Sequence, residues 1–383
     1  MQKIAFLMLD GIHHVHHVLP IAMELSRDQH FECTAFVQAA ALPVIKNIAK
    51  LYPDHRCVIT VLSTSLIKRI KYWIKQKQLH SRHIIQHELN RLLQYDIIMS
   101  PNIDLDLLFD KSRHLIKKPL FFFCHHGAGY PSIILTTNKY HIDLGMFMGE
   151  QYVQAIVKVG AIEAKKCAII GYPKFDIIPK DYKPRIFAND KPVILYNTHY
   201  SDASSWWRWG LEILEYFYQH TQFNLIFAPH VLLFRRSLKP KDLPKKYLQA
   251  SNILVDLGSE RSVDMTYVQA ADVYLGDISS QVYEFIRTPR PCIFLNAHGI
   301  DWRNQPNNLY SYMAMGPVIE QLPQLWKILE DYPIPNPYLV IQEQLFKKTF
   351  SITDEPASLR AANAIREFFA IHPAQLAAQP VAY

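Results

Sequence analysis

Short apolar runs alternate with longer amphipathic segments along most of this 383-residue chain. In the first half, buried strands are predicted at residues 3–9, 31–37, 57–62, 96–100, 120–124 and 167–170. Between them, apolar residues recur every three to four positions, which predicts helices at residues 20–27 and 42–51 and in the stretch up to residue 93. Strands that alternate with helices form parallel sheets covered on both faces, so we expect an α/β domain here.

The alternation stops over residues 171–192, a polar, proline-containing stretch without a clear period, which we interpret as a linker. Beyond it, strands are predicted at residues 193–197, 224–228, 253–255, 273–275 and 293–295, with helices at 204–219 and 266–271. The predicted organisation is an N-terminal domain (1–170), the linker (171–192), a C-terminal domain (193–355), and a C-terminal helix and tail (356–383).

The composition narrows the class of protein. Hydrophobic residues make up 49% of the chain and charged residues 20%, which is ordinary for globular domains and supplies apolar material for two cores. No apolar run reaches the roughly 18 residues of a transmembrane helix, and the first run ends at Asp10, too early for a secretory signal. The five cysteines are far apart, which argues against disulfides and against a zinc site. We therefore expect a cytoplasmic protein.

The formal net charge of +7 is concentrated in residues 66–83, where lysines and arginines interleave with apolar residues that include Trp73. Their spacing predicts a basic amphipathic helix. Such a helix can lie on an anionic membrane surface, on the inner face of the cell membrane, or it can simply turn its apolar stripe towards the core. Both alternatives remain open. No nucleic-acid-binding motif accompanies the charge, so we expect no nucleic-acid partner.

The segment 273–296 joins the end of a predicted strand to the start of a helix. The strand breaks at Gly276-Asp277, and the helical pattern restarts behind the two hydroxyls of Ser279 and Ser280. Free backbone N–H groups and the positive end of the helix dipole favour an anion at such a place. An ordinary helix cap has the same appearance, so the segment alone allows either a phosphate site or a cap.

Histidines follow two other predicted strands. His125 and His126 come after the strand at 120–124, and His230 follows the strand that ends in Phe227-Ala228. In open α/β sheets, ligands bind outside the carboxyl ends of the strands, here in the expected cleft between two domains. An imidazole at that position suits proton transfer near neutral pH, although a lone histidine is often structural.

The loop after the first strand argues against a dinucleotide-binding site and against a metal site. Asp10-Gly11 offers one glycine where the dinucleotide-binding fingerprint needs three, so we expect no nicotinamide or flavin cofactor. Four histidines follow, at a spacing that lets only alternate side chains converge, and we interpret them as a surface loop and not as a metal site. Asp104 and Asp106 are interpreted as charge at a helix N-terminus, so no metal is expected. The four histidines are His13, His14, His16 and His17.

A series of short motifs follows the strand ends in order between residues 120 and 296. They are His126-Gly127, Gly171-Tyr172-Pro173-Lys174-Phe175-Asp176, Ile194-Leu195-Tyr196-Asn197-Thr198, Pro229-His230, Gly276-Asp277-Ile278-Ser279-Ser280 and Arg290-Pro291. Together they resemble the CDP-glycerol glycerophosphotransferase family, the teichoic-acid primases and polymerases. The chain departs from the family pattern at Lys174-Phe175, which replaces Arg-Asn, and at Pro229-His230, which replaces His-Pro. It departs again at Tyr196–Tyr200, where the family has Ala-Pro-Thr-Trp, so the transferred group stays open.

The resemblance implies a GT-B architecture, in which two Rossmann-like domains with parallel sheets face a central cleft and the C-terminal one holds a donor nucleotide. It implies that His126 is a general base near the acceptor hydroxyl. The residues implied at the donor diphosphate are His230, Ser279 and Ser280, with Asp277 in the same motif. Further candidates on the acceptor side are Asp10, His13 and His125.

The expected function is that of a transferase which moves glycerol phosphate, or a related phospho-polyol or glycosyl group, to a cell-surface polymer precursor. Its partners would be a nucleotide-activated donor, either CDP-glycerol or a nucleotide sugar, and a polymer or lipid-linked acceptor. The alternatives are a nucleotide-sugar glycosyltransferase of capsule or lipopolysaccharide synthesis, an isomerase similar to the UDP-sugar 2-epimerases, and a binding protein without catalysis. The isomerase lacks a carboxylate set that the sequence places in the cleft.

Overall fold

The computed structural model describes residues 1–65, 80–102, 105–129, 141–236, 243–277, 279–304 and 311–371. The chain divides into two units. Unit 1 comprises Met1–His126, Pro131–Pro179 and Lys348–Tyr383, and unit 2 comprises Gly127–Tyr130 and Lys180–Lys347. Each unit is an α/β body with its own parallel sheet.

Unit 1 has seven strands in its described residues. They are β1 (Gln2–Met8), β2 (Phe31–Val37), β3 (Val58–Val61), β4 (Ile97–Ser100), β5 (Leu120–Cys124), β6 (Leu144–Phe147) and β7 (Cys167–Ile169). Their order in the sheet is β3-β2-β1-β4-β5-β6-β7, and neighbouring strands run parallel. This is a doubly wound order, which changes direction between β1 and β4.

The residues of β1 enter two different cores in alternation. Ile4 and Phe6 belong to one hydrophobic cluster, whereas Ala5 and Leu7 belong to the cluster on the other face. Side chains alternate along a strand, and a parallel sheet is covered on both faces, so all positions from Ile4 to Met8 are apolar. This is why the sequence predicts β1 as one continuous apolar run.

Helices cover both faces of this sheet. They are α1 (Ile12–Leu25), α2 (Leu42–Ala49), α3 (Ser81–Leu92), α4 (Asp106–Ser112) and α5 (Glu150–Lys158). Asp106 is the first residue of α4, as predicted, and Asp104 lies outside the described residues. The predicted C-terminal helix, here Ala357–Ile371, also joins unit 1, because its Ala361 and Ile365 pack in the same cluster as Val18 of α1.

The prediction for the first helix was wrong about its start. A loop with four surface histidines was expected before a helix at residue 20, but α1 begins at Ile12 and contains Pro20. His14, His16 and His17 are buried in it. A neutral imidazole can be buried like an apolar ring when its surroundings are packed, and a sequence pattern that counts histidine as polar then misses the helix. Strand β6 and helix α5 were not predicted either. The strand has only four residues, and Gly145 interrupts its apolar pattern.

Unit 2 has six strands in its described residues. They are β8 (Val193–Asn197), β9 (Asn224–Phe227), β10 (Ile253–Val255), β11 (Val273–Gly276), β12 (Cys292–Leu295) and β13 (Val318–Ile319). Their order is β10-β9-β8-β11-β12-β13, again parallel throughout. The order repeats that of the first sheet, so the change of direction falls between β8 and β11.

The helices of unit 2 pack on this second sheet. Among the described residues, three of them have nine or more residues, namely Trp206–Gln219, Leu322–Glu330 and Leu339–Thr349, and the last crosses the boundary to unit 1. The others have five residues or fewer. In chain order the helices are α6 (Trp206–Gln219), α7 (Leu233–Arg236), α8 (Lys245–Gln249), α9 (Thr266–Ala270), α10 (Gln281–Phe285), α11 (Leu322–Glu330) and α12 (Leu339–Thr349), before α13 (Ala357–Ile371). Ile213, Leu214 and Phe217 of α6 pack in one cluster with Ile194 and Leu225 of the sheet.

None of the helices in the described ranges is long and apolar enough to cross a membrane. The basic segment 66–79 lies outside the described residues.

Candidate functional site

In unit 2, the ends of β8 and β11 lie side by side at the point where the strand order changes direction. Gly276 ends β11 against Asn197 of β8, and a Cβ atom at Gly276 would come within 2.3 Å of the Asn197 carbonyl oxygen. Only glycine allows this close approach. The residues that follow the two strands, His199 and Asp277, are thereby brought together.

The carboxylate of Asp277 is buried beneath the loop that follows β8. It accepts hydrogen bonds from the backbone N–H of His199 at 2.6 Å and of Ser205 at 2.6 Å, and from the Ser204 hydroxyl at 3.4 Å. Burial raises its pKa to about 6, although the hydrogen bonds from Ser205 and from the His199 backbone act in the opposite direction. All these partners are groups of the protein itself. Asp277 therefore holds the loop that follows β8 in place at the edge of the sheet.

His230 follows β9 and lies beside that loop. Its backbone N–H donates to the Thr198 carbonyl at 2.8 Å, and its Nδ1 accepts from the backbone N–H of Leu232 at 3.2 Å. The proton of the neutral ring is therefore assigned to Nε2. The ring centroid lies 5.8 Å from that of His199 and 4.7 Å from that of Tyr200. His230 thus offers a ring N–H donor at the carboxyl edge of the sheet.

His199 is a second imidazole at this edge. Burial lowers its pKa to about 4. Its Nδ1 accepts from the backbone N–H of Ser201 at 3.2 Å, which leaves Nε2 to carry the proton of the neutral ring. The neighbouring Thr198 hydroxyl is fully buried and has no hydrogen-bond partner in the described part of the chain. From the sequence, this segment was recognised as one of the family-like motifs and as a departure from the family pattern, but no residue in it was named as a site candidate. Its position at the end of the first strand of the second sheet was the signal that could have marked it.

Ser279 and Ser280 stand between β11 and α10. Ser279 is partly buried, and its hydroxyl accepts from the backbone N–H of Gln281 at 3.2 Å, whereas Ser280 is exposed and makes no capping bond with its side chain. The helix that they precede, α10, has five residues. A short helix has a weak dipole, so the hydroxyl and backbone N–H donors have to carry any attraction for an anion here.

The Arg-Pro motif has a structural task in unit 2. The Arg290 guanidinium donates to the carbonyl oxygens of Ala271 at 2.5 Å, Phe285 at 2.9 Å and Val268 at 3.2 Å. It satisfies the free carbonyls at the ends of α9 and α10. Arg290 therefore holds two helix ends beside the candidate site.

In unit 1, the corresponding change of direction lies between β1 and β4, and Asp10 follows β1. Its carboxylate accepts from the backbone N–H of Ser81 at 3.1 Å, at the start of α3, and from the Asn102 amide after β4. The candidate base His126 follows β5, and its Nδ1 lies 2.9 Å from the carbonyl oxygen of Pro101. Because a carbonyl can only accept, Nδ1 carries the proton and Nε2 keeps its lone pair. This is the tautomer that a base at Nε2 requires.

The charge state of His126 is set by opposing effects. Burial lowers its pKa, and both the bond to Pro101 and the Asp10 carboxylate raise it. The net direction is downward, so the ring is neutral near pH 7 and able to accept a proton. Asp10 would stabilise the imidazolium that forms.

His13 and His14, at the start of α1, lie next to His126. The ring centroids are 4.2 Å apart for His13 and His14, 4.5 Å for His14 and His126, and 5.6 Å for His13 and His126. Burial and the neighbouring imidazoles of His13 and His126 lower the pKa of His14. From the sequence, all four histidines were placed in a loop, and only His13 was named as an acceptor-side candidate, although His14 belongs to the same cluster.

His125 is turned to a different neighbour. Its Nε2 is hydrogen-bonded to the Tyr152 hydroxyl, and the two ring centroids are 4.3 Å apart. Its backbone N–H donates to Met146 at 3.1 Å. His125 is thus packed against α5, beside His126 but engaged with its own partner.

The Gly-Tyr-Pro motif connects unit 1 to its last helix. Asp176 accepts from the backbone N–H groups of Ala357 at 3.0 Å and Ser358 at 2.7 Å, which caps α13. Gly171 has φ +84°, and a Cβ there would lie 2.8 Å from the Ser351 carbonyl. Lys174 is buried close enough to His16 and His17 to lower the pKa of both rings. This motif therefore has a structural role: it caps α13 and packs against the buried histidines of α1.

Comparison with known proteins adds a family match. Residues 125–367 match the family described as CDP-Glycerol:Poly(glycerophosphate) glycerophosphotransferase, which is more than half of the chain. No curated protein sequence gives a significant match.

Among solved structures, the wall teichoic acid polymerase TagF, in a crystal soaked with CDPG, has a TM-score of 0.65 at 13% identity, over 97% of this chain and 90% of that chain. The UDP complex of S. aureus MnaA has a TM-score of 0.58 at 13% identity, over 100% of both chains. The calicheamicin glycosyltransferase CalG4 has a TM-score of 0.50 at 12% identity, over 97% of this chain and 98% of that chain. These likenesses concern the fold, and they confirm the GT-B class with two Rossmann-like domains.

Proposed function

Because this chain belongs to the CDP-glycerol:poly(glycerophosphate) glycerophosphotransferase family, we propose that it transfers glycerol phosphate, or a related phospho-polyol, from a CDP-linked donor to a hydroxyl of a cell-surface polymer precursor. Membership in the family makes the protein a transferase that uses a nucleotide-activated donor. The identity of the nucleotide, of the transferred group and of the acceptor in this chain is our proposal.

The arrangement at the carboxyl ends of β8, β9 and β11 carries the proposal. His230 and Ser279 offer hydrogen-bond donors there, at the edge where doubly wound sheets bind ligands. We propose that His230, Ser279 and Ser280 bind the donor diphosphate and that Asp277 positions the loop beside them. When the acceptor oxygen bonds to the β-phosphorus, the phosphorus–oxygen bond to CMP breaks and CMP gains negative charge. Donors already in position stabilise that charge.

In unit 1, we propose that His126 is the general base. Its Nε2 would take the proton of the acceptor hydroxyl while the new phosphorus–oxygen bond forms. The bond from Nδ1 to Pro101 supports this role, because it holds the ring in the required tautomer. We propose that Asp10 stabilises the protonated ring and that His13 and His125 contribute to the acceptor side.

Nucleotide binding and product release test the proposal together. Thermal-shift measurements would compare CDP, CMP, UDP and GDP, and a second assay would follow CMP release from CDP-glycerol. We expect CDP to stabilise the protein most and CDP-glycerol to release CMP when an acceptor is present. Stronger stabilisation by UDP or GDP, without CMP release, would contradict the proposal and favour a nucleotide-sugar glycosyltransferase or, with UDP, a 2-epimerase-like reaction.

We also propose that the acceptor is lipid-linked and that the protein touches the inner face of the cell membrane. The support is the basic amphipathic pattern of residues 66–83 in the sequence. Each cation near an anionic surface contributes about 1 kcal/mol, and this attraction should weaken at high salt. Sedimentation with anionic and neutral liposomes measures it, and equal binding to both, or to neither, would contradict membrane contact.

A further inference from the structure

Three imidazoles from two separate segments of unit 1 lie together at the point where the first sheet changes direction. His13 and His14 belong to the first turn of α1, and His126 follows β5. One ring nitrogen from each lies within 4.8 Å of the other two. The proposed function uses His126 as the general base and places His13 on the acceptor side, and it leaves His14 without a role.

We propose that His13, His14 and His126 form a binding site for a divalent transition-metal ion of the zinc class. Imidazole nitrogen is a preferred ligand of Zn²⁺, at about 2.0–2.1 Å, whereas Mg²⁺ and Ca²⁺ prefer oxygen. Three nitrogens around a tetrahedral zinc would be about 3.3 Å apart. The present separations of up to 4.8 Å would therefore have to shorten by up to about 1.5 Å when the ion binds.

The hydrogen bonds of His126 already suit a metal ligand. Nδ1 donates to the Pro101 carbonyl at 2.9 Å, so the lone pair of Nε2 points away from that bond. Histidines that bind metals usually donate their other ring N–H to a carbonyl or a carboxylate in this way, which fixes the tautomer and the orientation of the ring.

His14 supplies an independent indication. Its side chain is 2% exposed, and its Nδ1 is buried without a hydrogen-bond partner in the described part of the chain. An unsatisfied polar atom in the interior is destabilising unless something binds it, and a metal ion or an ordered water would do so. Three protein ligands would leave a fourth position for water or for an anionic group.

The site predicts an effect on catalysis that rests on the proposed function. A metal ion on Nε2 of His126 occupies the lone pair that a general base needs. Zn²⁺ should therefore inhibit transfer, and a chelator should restore it. The binding of the metal does not depend on the role of His126, so binding and inhibition can be tested separately.

The binding test uses the full-length protein after removal of metals with a chelator. Calorimetry with Zn²⁺ and Mg²⁺ measures affinity and stoichiometry, and Co²⁺ absorption reports tetrahedral nitrogen coordination. We expect one Zn²⁺ per chain, no Mg²⁺ binding at this site, and a loss of affinity of about 100-fold or more in His14→Gln. That loss should exceed the 10–100-fold effect of losing an outer-shell partner. His16→Gln is the matched control, because His16 is also buried in α1, with an unpartnered Nδ1, but lies outside the three-histidine group.

His13→Gln is a second variant, since His13 is partly exposed and its replacement disturbs the core less. If the wild type binds no Zn²⁺, or if His14→Gln and His13→Gln both bind it like the wild type, the metal site is wrong while the proposed base stands. If Zn²⁺ binds as expected but does not inhibit transfer, the site stands and the assignment of His126 as the base is wrong. His14→Gln should retain basal transfer and become insensitive to Zn²⁺.

Discussion

The Asp277 carboxylate and the backbone N–H of His199 meet at 2.6 Å, although they are 78 residues apart in the chain. The bond joins the ends of the two central strands of the second sheet, at the place where doubly wound sheets bind their ligands. A single buried carboxylate thus organises the loop that brings His199 and Tyr200 beside His230. The donor site that we propose depends on this contact as much as on the residues that would touch the ligand.

Asp277→Asn should destabilise unit 2 and weaken nucleotide binding. An amide cannot accept from both the His199 and Ser205 backbone N–H groups with its two ends, so a buried donor loses its partner at a cost of about 1–3 kcal/mol. Urea unfolding and calorimetry with the nucleotide measure the two effects. Asp256→Asn is the control, because the Asp256 carboxylate, after the edge strand β10, also uses both oxygens as acceptors. One oxygen accepts from the backbone N–H groups of Gly258 and Ser259, and the other accepts from the hydroxyls of Ser259 and Tyr267. The control should lose stability but keep its nucleotide affinity, and equal losses of affinity in the two variants would contradict the role of Asp277.

Ser279→Ala should change both stability and nucleotide affinity, whereas Ser280→Ala should change nucleotide affinity alone. Each hydroxyl that bonds to a charged phosphate should contribute about 1.5–3 kcal/mol to nucleotide affinity. Ser279→Ala should also lower stability, because its hydroxyl accepts from the Gln281 backbone, while the exposed Ser280 should affect binding alone. Calorimetry and thermal unfolding on both variants separate these outcomes. Unchanged affinity in the double variant would remove this segment from the donor site.

His126→Ala should lower turnover by about 10²–10⁴-fold with little change in donor affinity, as expected for the loss of a general base. His230→Ala should weaken donor binding and turnover together. Steady-state kinetics and donor titrations distinguish the two patterns, with exposed His87→Ala as a control that changes neither. The opposite pattern, with His126 affecting the donor and His230 only the turnover, would require the two roles to be exchanged.

The stability of unit 2 should fall on acidification in part through His199. Burial lowers the pKa of His199 to about 4, so its neutral form stabilises the fold above about pH 6.5, and this contribution, up to about 3 kcal/mol, is lost as the pH falls towards 4. Asp277, with its pKa raised to about 6, acts in the opposite sense, because the folded state holds its proton more strongly. The wild type must therefore be compared with His199→Gln.

Tryptophan fluorescence suits this comparison. Five of the six tryptophans in the sequence, Trp206, Trp207, Trp209, Trp302 and Trp326, belong to unit 2. Urea unfolding followed by this signal between pH 7.5 and pH 4.5 should show a shallower loss of stability in His199→Gln. The same pH dependence in both proteins would mean that His199 is not responsible.

Much of the fold could be predicted because strand burial is a local property of the sequence. Strands in a parallel sheet are covered on both faces, so Phe31–Val37, Leu120–Cys124 and Val193–Asn197 are mostly apolar, and all three were predicted with the observed bounds. The short strand at Leu144–Phe147 was missed because it has only four residues and one of them is a glycine.

Local sequence patterns were enough to predict the alternation of strands and helices and the chemistry at the strand ends, including His126, His230 and Ser279. Which strand ends are neighbours is known only from the three-dimensional fold. The order of the strands brings Asp277 to His199 and His14 to His126, and it buries the histidines that the sequence placed on a surface loop. Periodicity depends on neighbours in the chain, whereas the partner of a polar side chain depends on crossovers that bring distant segments together, and these are set by packing of the whole sheet.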